Sequence, residues 1–265
     1  MTPEDHRAAA QALLHAEETG TQIGLLSQLY PGIGMDDAYA IQAEIVRAKR
    51  AAGRRVVGWK IGLTSRAMQD ALGIDIPDSG VLLDDMDFAH GATVPPGRFI
   101  QPRIEAEIAF VMKAPVDGAM SRDALLDATD YVCPAIEILD TRILRADPST
   151  GRTRTVIDTI ADNAANGGFV LGPSHHDPRA VDLRWVGAIV TRDGVVEETG
   201  LGAGVLNDPV ESVLWLAQRM ESYGQVIQPG DVVLSGSFVR PVECPAGTDI
   251  TADYGPFGQV SISFG

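Results

Sequence analysis

The sequence predicts an α+β fold on three observations. Residues 1–54 have helical spacing, the hydrophobic period changes to two from Arg55 onward, and strands do not alternate regularly with helices. The last observation argues against Rossmann and barrel architectures. A chain of 265 residues, 45% hydrophobic and 22% charged, is long enough for one sizeable core. The patterns divide it into a helical N-terminal segment, 1–54, and a β-rich domain, 55–265, that carries the candidate chemistry.

Thr2-Pro3-Glu4-Asp5 places a cap, then proline at the first helical position, then acids in the first turn, so a helix is expected from here to about Thr19-Gly20. A second helix is expected from a cap at Asp36 or Asp37, with Ala38, Ile41, Ile45 and Ala48 on one face and Gly53 as its stop. Short β-rich runs follow at 55–64, 99–112, 131–139, 185–199, 231–238 and 258–264. Arg192-Asp193-Gly194 signals a hairpin turn, and Asp208-Pro209-Val210-Glu211 opens a further helix. Asp78, within Ile76-Pro77-Asp78-Ser79-Gly80, and Asp162-Asn163-Ala164-Ala165-Asn166-Gly167-Gly168 both carry turn composition.

The formal charge is 21 minus 36, or −15. Such an acidic chain repels phosphate backbones and anionic lipid, so no nucleic acid and no membrane partner is expected. Cys133 and Cys244 are too few for a disulfide framework, and the acidic N-terminus is unlike an export signal. A cytoplasmic protein is the expectation.

Three carboxylates and one lysine stand out. In Arg103-Ile104-Glu105-Ala106-Glu107-Ile108, strand alternation puts Arg103, Glu105 and Glu107 on one face. Glu137 lies inside the apolar run Ala135-Ile136-Glu137-Ile138-Leu139, where burial demands a partner. That partner is either a hard divalent cation shared with Glu105 and Glu107, or an arginine such as Arg142 or Arg103. Lys60 is flanked by Gly58 and Gly62 on its own strand face, which suggests room for a ligand against the backbone. Asn163 and Asn166, beside two glycines, are placed to offer amides to a polar ligand. The five histidines show no metal-binding spacing.

Gly58-Trp59-Lys60-Ile61-Gly62-Leu63-Thr64-Ser65, Pro77-Asp78 with Leu82-Leu83-Asp84-Asp85-Met86, Pro102-Arg103-Ile104-Glu105-Ala106-Glu107, Pro134-Ala135-Ile136-Glu137 and Asp162-Asn163-Ala164-Ala165-Asn166 occur in that order. In this the chain resembles, over essentially its whole length, the hydratase/decarboxylase family of the fumarylacetoacetate hydrolase superfamily. That family acts on 2-oxo-enoates in aromatic catabolism. The resemblance implies a mixed β-roll with peripheral helices, assembled as a homopentamer or homodecamer. It implies that Glu105, Glu107 and Glu137 hold Mg2+ or Mn2+, and that Lys60 and Asp78 are catalytic. The substrate it implies is a small anionic 2-oxo-enoic acid.

Asp147-Pro148, Thr159-Ile160-Ala161-Asp162 and Ser235-Gly236-Ser237-Phe238-Val239-Arg240-Pro241 resemble the members that hydrate a seven-carbon diacid. A decarboxylase of the same family is the nearest rival. An acylpyruvate-type hydrolase and a non-catalytic partner subunit are further ones. For a diacid, Arg240 is the candidate for the distal carboxylate, with Arg103 as alternative. Asn163 is the third substrate-binding candidate. One departure from the family pattern is Ser79, where an aromatic residue is expected after the Pro-Asp pair.

Overall fold

In the computed structural model of the chain, residues 1–66, 69 and 76–265 are described. The helical segment opens with α1 (Pro3–Thr19), capped by Thr2 and Asp5 in a reciprocal box and closed by Gly20 at φ 64°. A single turn, α2 (Leu26–Leu29), leads to α3 (Met35–Ala51). The cap of α3 is Gly34 rather than Asp36 or Asp37, because Asp37 reaches back to accept from the Gly34 N–H at 3.0 Å. Ala9, Leu13, Ile41 and Ile45 bury their side chains with Ile143 and Ile160.

The β-rich part forms two sheets. Its strands in chain order are β1 (Val56–Gly62), β2 (Asp78–Leu83), β3 (Asp87–Phe88), β4 (Thr93–Val94), β5 (Arg103–Met112) and β6 (Thr129–Leu139). They continue with β7 (Asn166–Leu171), β8 (Gly187–Arg192), β9 (Val195–Leu201), β10 (Val232–Leu234), β11 (Val242–Glu243), β12 (Thr248–Asp253) and β13 (Gln259–Phe264). The larger sheet runs β2-β1-β10-β5-β6-β7-β3, with β11 added to β5, and the smaller runs β4-β13-β12-β8-β9. Both helices and strands are present in quantity, so the fold is α+β as expected. The main core includes Ile104, Ile108 and Phe110 of the larger sheet and Val190, Ile250 and Ile262 of the smaller.

Two stretches expected as turns contain strands. Asp78 begins β2 because Gly80, a turn residue by composition, is needed inside the strand: a Cβ there would meet the Asn163 carbonyl at 2.7 Å. Asn166-Gly167-Gly168 begins β7 for the same kind of reason, since Phe99 and Phe88 lie 3.1 and 2.8 Å from where Cβ atoms would stand. Helices at Arg122–Ala128 and Val156–Ala161 and the strand β12 were not expected either. The hairpin at Arg192-Asp193-Gly194 and the helix Pro209–Glu221, capped by Asp208, are where the sequence put them.

Candidate active site

The site is built on one face of the larger sheet, across β5, β6, β1 and β2. Antiparallel register places Glu105 directly opposite Glu137, with Glu107 one pair further along opposite Ala135. Carboxylate oxygens of Glu105, Glu107 and Glu137 all lie within 4.8 Å of one another. Glu107 and Glu137 are fully buried, whereas Glu105 keeps partial exposure at the rim.

Lys60 comes from β1, where it is level with Gly80 of β2 and Leu234 of β10. Its Nζ lies 3.3 Å from Glu137 Oε1. Asp78, at the start of β2, is level with Gly62. A Cβ on Gly62 would stand 2.2 Å from Asp78 Oδ1 and 3.0 Å from Lys60 Nζ. The glycine beside Lys60 therefore does not leave space for a ligand, as the sequence suggested. It lets the lysine and the aspartate converge. Gly58 serves a backbone approach instead, with the Val232 carbonyl in its Cβ space.

The remaining contacts hold the carboxylates in place. Asn166 Nδ2 donates to Glu137 Oε1 at 2.8 Å, and the Gly236 N–H donates to Glu107 Oε2 at 2.7 Å. The buried Tyr254 hydroxyl reaches the backbone carbonyls of Glu107 and Ala135, at 2.9 and 2.6 Å, and so ties β5 to β6 behind the acids. Asn166 sits after a turn of three successive left-handed residues, Asn163, Ala164 and Ala165, at φ 51°, 52° and 59°. For residues with a Cβ that conformation costs roughly 1 to 2 kcal/mol each. It persists because buried Arg142 clamps the turn, through Nε to Asp162 Oδ1 at 2.5 Å, Nη2 to the Asp162 carbonyl at 2.7 Å and Nη1 to the Asn166 carbonyl at 3.1 Å.

Four of the expected site residues plus Asp78 thus meet in one place, and three do not. Arg240 is at the surface, its side chain 81% exposed and paired with Glu198 at 2.7 Å. Arg103 turns to Glu243 at 2.5 Å and lines a cavity of about 610 Å³ with Arg145 and Arg192, which none of the three glutamates lines. Asn163 spends both ends of its amide on Val81, accepting from its N–H at 2.8 Å and donating to its carbonyl at 2.9 Å. Neither arginine weighed as a partner for Glu137 is one, since Arg142 is committed to Asp162. The sequence also missed Tyr254 and Gly236. Neither carries a local signal, because each acts through a backbone or side-chain contact set only by sheet packing.

The electrostatics are those of an over-acidic pocket. Among the described residues, four carboxyl groups face one ammonium. Burial, and next the facing Glu137, push the Glu105 carboxyl up to about 8. Glu107 is also held well above the usual carboxylate range, by burial and then by Glu137 and Glu105. Burial also raises Asp78, against the pull of Lys60. Burial by itself would lower Lys60, but Glu137, Asp78, Glu105 and Glu107 hold its ammonium above the usual lysine range. Among the described residues, buried oxygens without a hydrogen-bond partner include Glu107 Oε1, Glu137 Oε2 and Asp78 Oδ1. Orphaned acceptors, excess negative charge and an all-oxygen donor set together fit a hard divalent cation held by Glu105, Glu107 and Glu137.

The family model described as fumarylacetoacetate (FAA) hydrolase C-terminal matches residues 74–260. The chain belongs to the fumarylacetoacetate hydrolase family, a class of enzymes. Among its relatives, the 2-oxo-hept-4-ene-1,7-dioate hydratase of Escherichia coli is 48% identical over 260 residues, covering 98% of this chain and 97% of the relative. The 2-keto-4-pentenoate hydratase of Paraburkholderia xenovorans (strain LB400) is 40% identical, covering 100% and 96%. The solved 4-oxalocrotonate decarboxylase from Pseudomonas putida G7, complexed with magnesium and adipate, superposes with a TM-score of 0.93 at 35% identity, covering 100% of this chain and 98% of that one.

Proposed function

We propose that this protein is a divalent-metal-dependent hydratase that adds water to 2-oxohept-4-ene-1,7-dioate, giving 4-hydroxy-2-oxoheptanedioate in aromatic catabolism. The observation that carries the choice of substrate is the 48% identity to the Escherichia coli hydratase over nearly the whole of both chains. Glu105, Glu107 and Glu137 would hold the cation, magnesium or manganese. When bound there it supplies Lewis-acid polarisation of the substrate's 2-oxo and carboxylate oxygens.

The chain's own residues supply the proton chemistry. Lys60 is kept charged by the acids around it and presents an N–H donor in a pocket shielded from water, where a fixed positive charge stabilises developing negative charge best. Among the described residues Asp78 Oδ1 meets no side-chain donor by hydrogen bond, and it stands beside Lys60 over Gly62, so we assign Asp78 as the group that exchanges a proton with water or substrate. The left-handed turn and Tyr254 keep the glutamates from spreading. Water exclusion follows from the depth of Glu107 and Glu137.

Decarboxylation is the second reading, supported by the close superposition on the Pseudomonas putida decarboxylase. Incubation with magnesium and, separately, enzymatically generated 2-hydroxyhepta-2,4-dienedioate and 2-oxo-3-hexenedioate, followed by product mass, decides between them. Gain of water by the seven-carbon substrate supports the hydratase, loss of carbon dioxide from the six-carbon one the decarboxylase, and both substrates unchanged overturns both. Free, buried Cys133 and Cys244 are in keeping with a reducing cytoplasm. The exposed apolar side chains Ile189, Val195, Val196 and Leu201 on the β8–β9 hairpin support assembly of several copies, a homopentamer or homodecamer, which sedimentation tests directly.

A further inference from the structure

The strand that carries Asp78 lies at the edge of the larger sheet, and its outer side is closed by side chains rather than by another strand. β1 pairs with one side of β2. An edge strand leaves a row of N–H and C=O groups unpaired along the other. At Val81 both groups are taken by the Asn163 amide. At Ser79, the residue after Asp78, both are taken by α3. The Ser79 N–H donates to Tyr39 Oη at 3.3 Å, and the Ser79 carbonyl accepts from Gln42 Nε2 at 3.0 Å.

Tyr39 and Gln42 are three residues apart, hence on one helix face. Each is itself held. Gln42 Nε2 also donates to the Ile160 carbonyl at 3.1 Å, and the Arg219 guanidinium stacks 4.1 Å from the centre of the Tyr39 ring. The aromatic group expected next to Asp78 is therefore present, but it arrives from the N-terminal segment instead of from position 79.

We infer that Tyr39 and Gln42 are positioning residues for the reaction, fixing the peptide that follows Asp78 and so the direction of its carboxylate. The inference rests on the assignment of Asp78 above. Among the described residues no side chain hydrogen-bonds to Asp78 Oδ1, which lies against the Gly62 backbone, so the backbone on either side sets its aim. On one side Gly62 permits the approach to Lys60; on the other, Ser79 is gripped at both ends of its peptide groups. α3 lies outside residues 74–260, the span that matches the family model, so the helical segment completes the site from beyond that span.

A plain edge cap would use the same bonds, and a double-mutant design separates the two roles. Tyr39→Phe and Gln42→Met are made singly, in the native chain and in Asp78→Asn. Each is assayed metal-loaded on 2-hydroxyhepta-2,4-dienedioate, with Mn2+ titration and amide hydrogen exchange at Ser79 alongside. Positioning predicts a kcat loss of roughly 10- to 100-fold, the scale of a small misplacement of a reacting group. KM and Mn2+ affinity stay within about twofold, and Ser79 exchanges faster. In the Asp78→Asn background the same substitutions cost nothing further. A loss that persists undiminished in that background overturns the positioning role, as does full activity of both single variants. Full activity of Asp78→Asn is a separate failure: it removes the Asp78 assignment and the positioning role with it.

Discussion

Glu105 and Glu137 face each other directly across the β5–β6 ladder, two acids at a cross-strand position where like charges are unfavourable. The sheet tolerates the pair because Lys60 and Asn166 reach Glu137 from β1 and β7, on either side of the ladder. A cation between them would turn this local repulsion into the source of binding.

Glu137→Gln should therefore abolish tight metal binding while leaving the fold intact, since an amide occupies the same space. Calorimetric titration with Mn2+ should show an affinity loss of at least about 100-fold, as outer partners alone typically account for 10- to 100-fold. Native affinity in this variant removes Glu137 from the ligand set.

Lys60→Met separates catalysis from metal holding. Turnover should fall by roughly 10²- to 10⁴-fold, the range of positioned acid–base groups. Metal binding should be retained or tightened, because the ammonium competes with a cation for Glu137. A variant that loses metal and keeps its rate per bound ion contradicts this division of roles.

The metal-free protein should lose stability as pH rises. The folded-state Glu105 carboxyl is pushed up to about 8, above its ordinary value of 4.5, so between these pH values the folded chain binds more protons than the unfolded one. Stability is then fully present below about pH 4.5 and declines toward pH 8. Melting temperatures in chelator from pH 5 to 8 should fall, and added Mg2+ should flatten the slope. A chelated protein whose melting temperature rises over that range contradicts the burial of these acids in protonated form.

Asp162→Asn should destabilise the chain by roughly 3 to 5 kcal/mol, because it leaves the Arg142 guanidinium buried without its counter-charge. Relaxation of the left-handed turn should also move Asn166 away from Glu137, so metal affinity should drop with stability. Chemical denaturation together with Mn2+ titration checks both effects.

Arg240→Met should leave KM and kcat for a diacid within about twofold of native, since the side chain is exposed and pairs only at the surface. A strong rise in KM would return Arg240 to the substrate site.

Much of the site was legible in the sequence because alternation along a single strand is a local property. Glu105 and Glu107 had to share a face, and Glu137 in an apolar run had to be buried. Lys60 followed from its flanking glycines, although their purpose was misread. What alternation cannot give is which strand lies beside which. Beside the cation, the sequence offers nearby arginines as ion-pair partners for Glu137, whereas the pair it makes is with Lys60, 77 positions earlier and brought in by β10 and β5. The strands begun by Asp78 and Asn166 are hidden because Gly, Asn and Asp read as turn residues unless the packing that requires their small size is known, and only resemblance, not local pattern, marks Asp78 as catalytic. Arg240 stands apart from the carboxylate cluster for the opposite reason. A guanidinium suits a carboxylate wherever it is, and only the fold showed that the carboxylate is Glu198.

The pairing of β1 with β10 has a consequence for the order of assembly. Among the described residues β10 is the strand that joins β1 to β5, so the native place of Lys60 beside the acid-bearing ladder depends on Val232–Leu234, late in the chain. The β5–β6 ladder joins segments much closer in sequence and can close earlier during translation. A ladder that closed first would hold the three glutamates without their lysine, and a metal ion would then be the counter-charge within reach. Ion availability during synthesis thus becomes a candidate control on folding yield, separate from its effect on turnover.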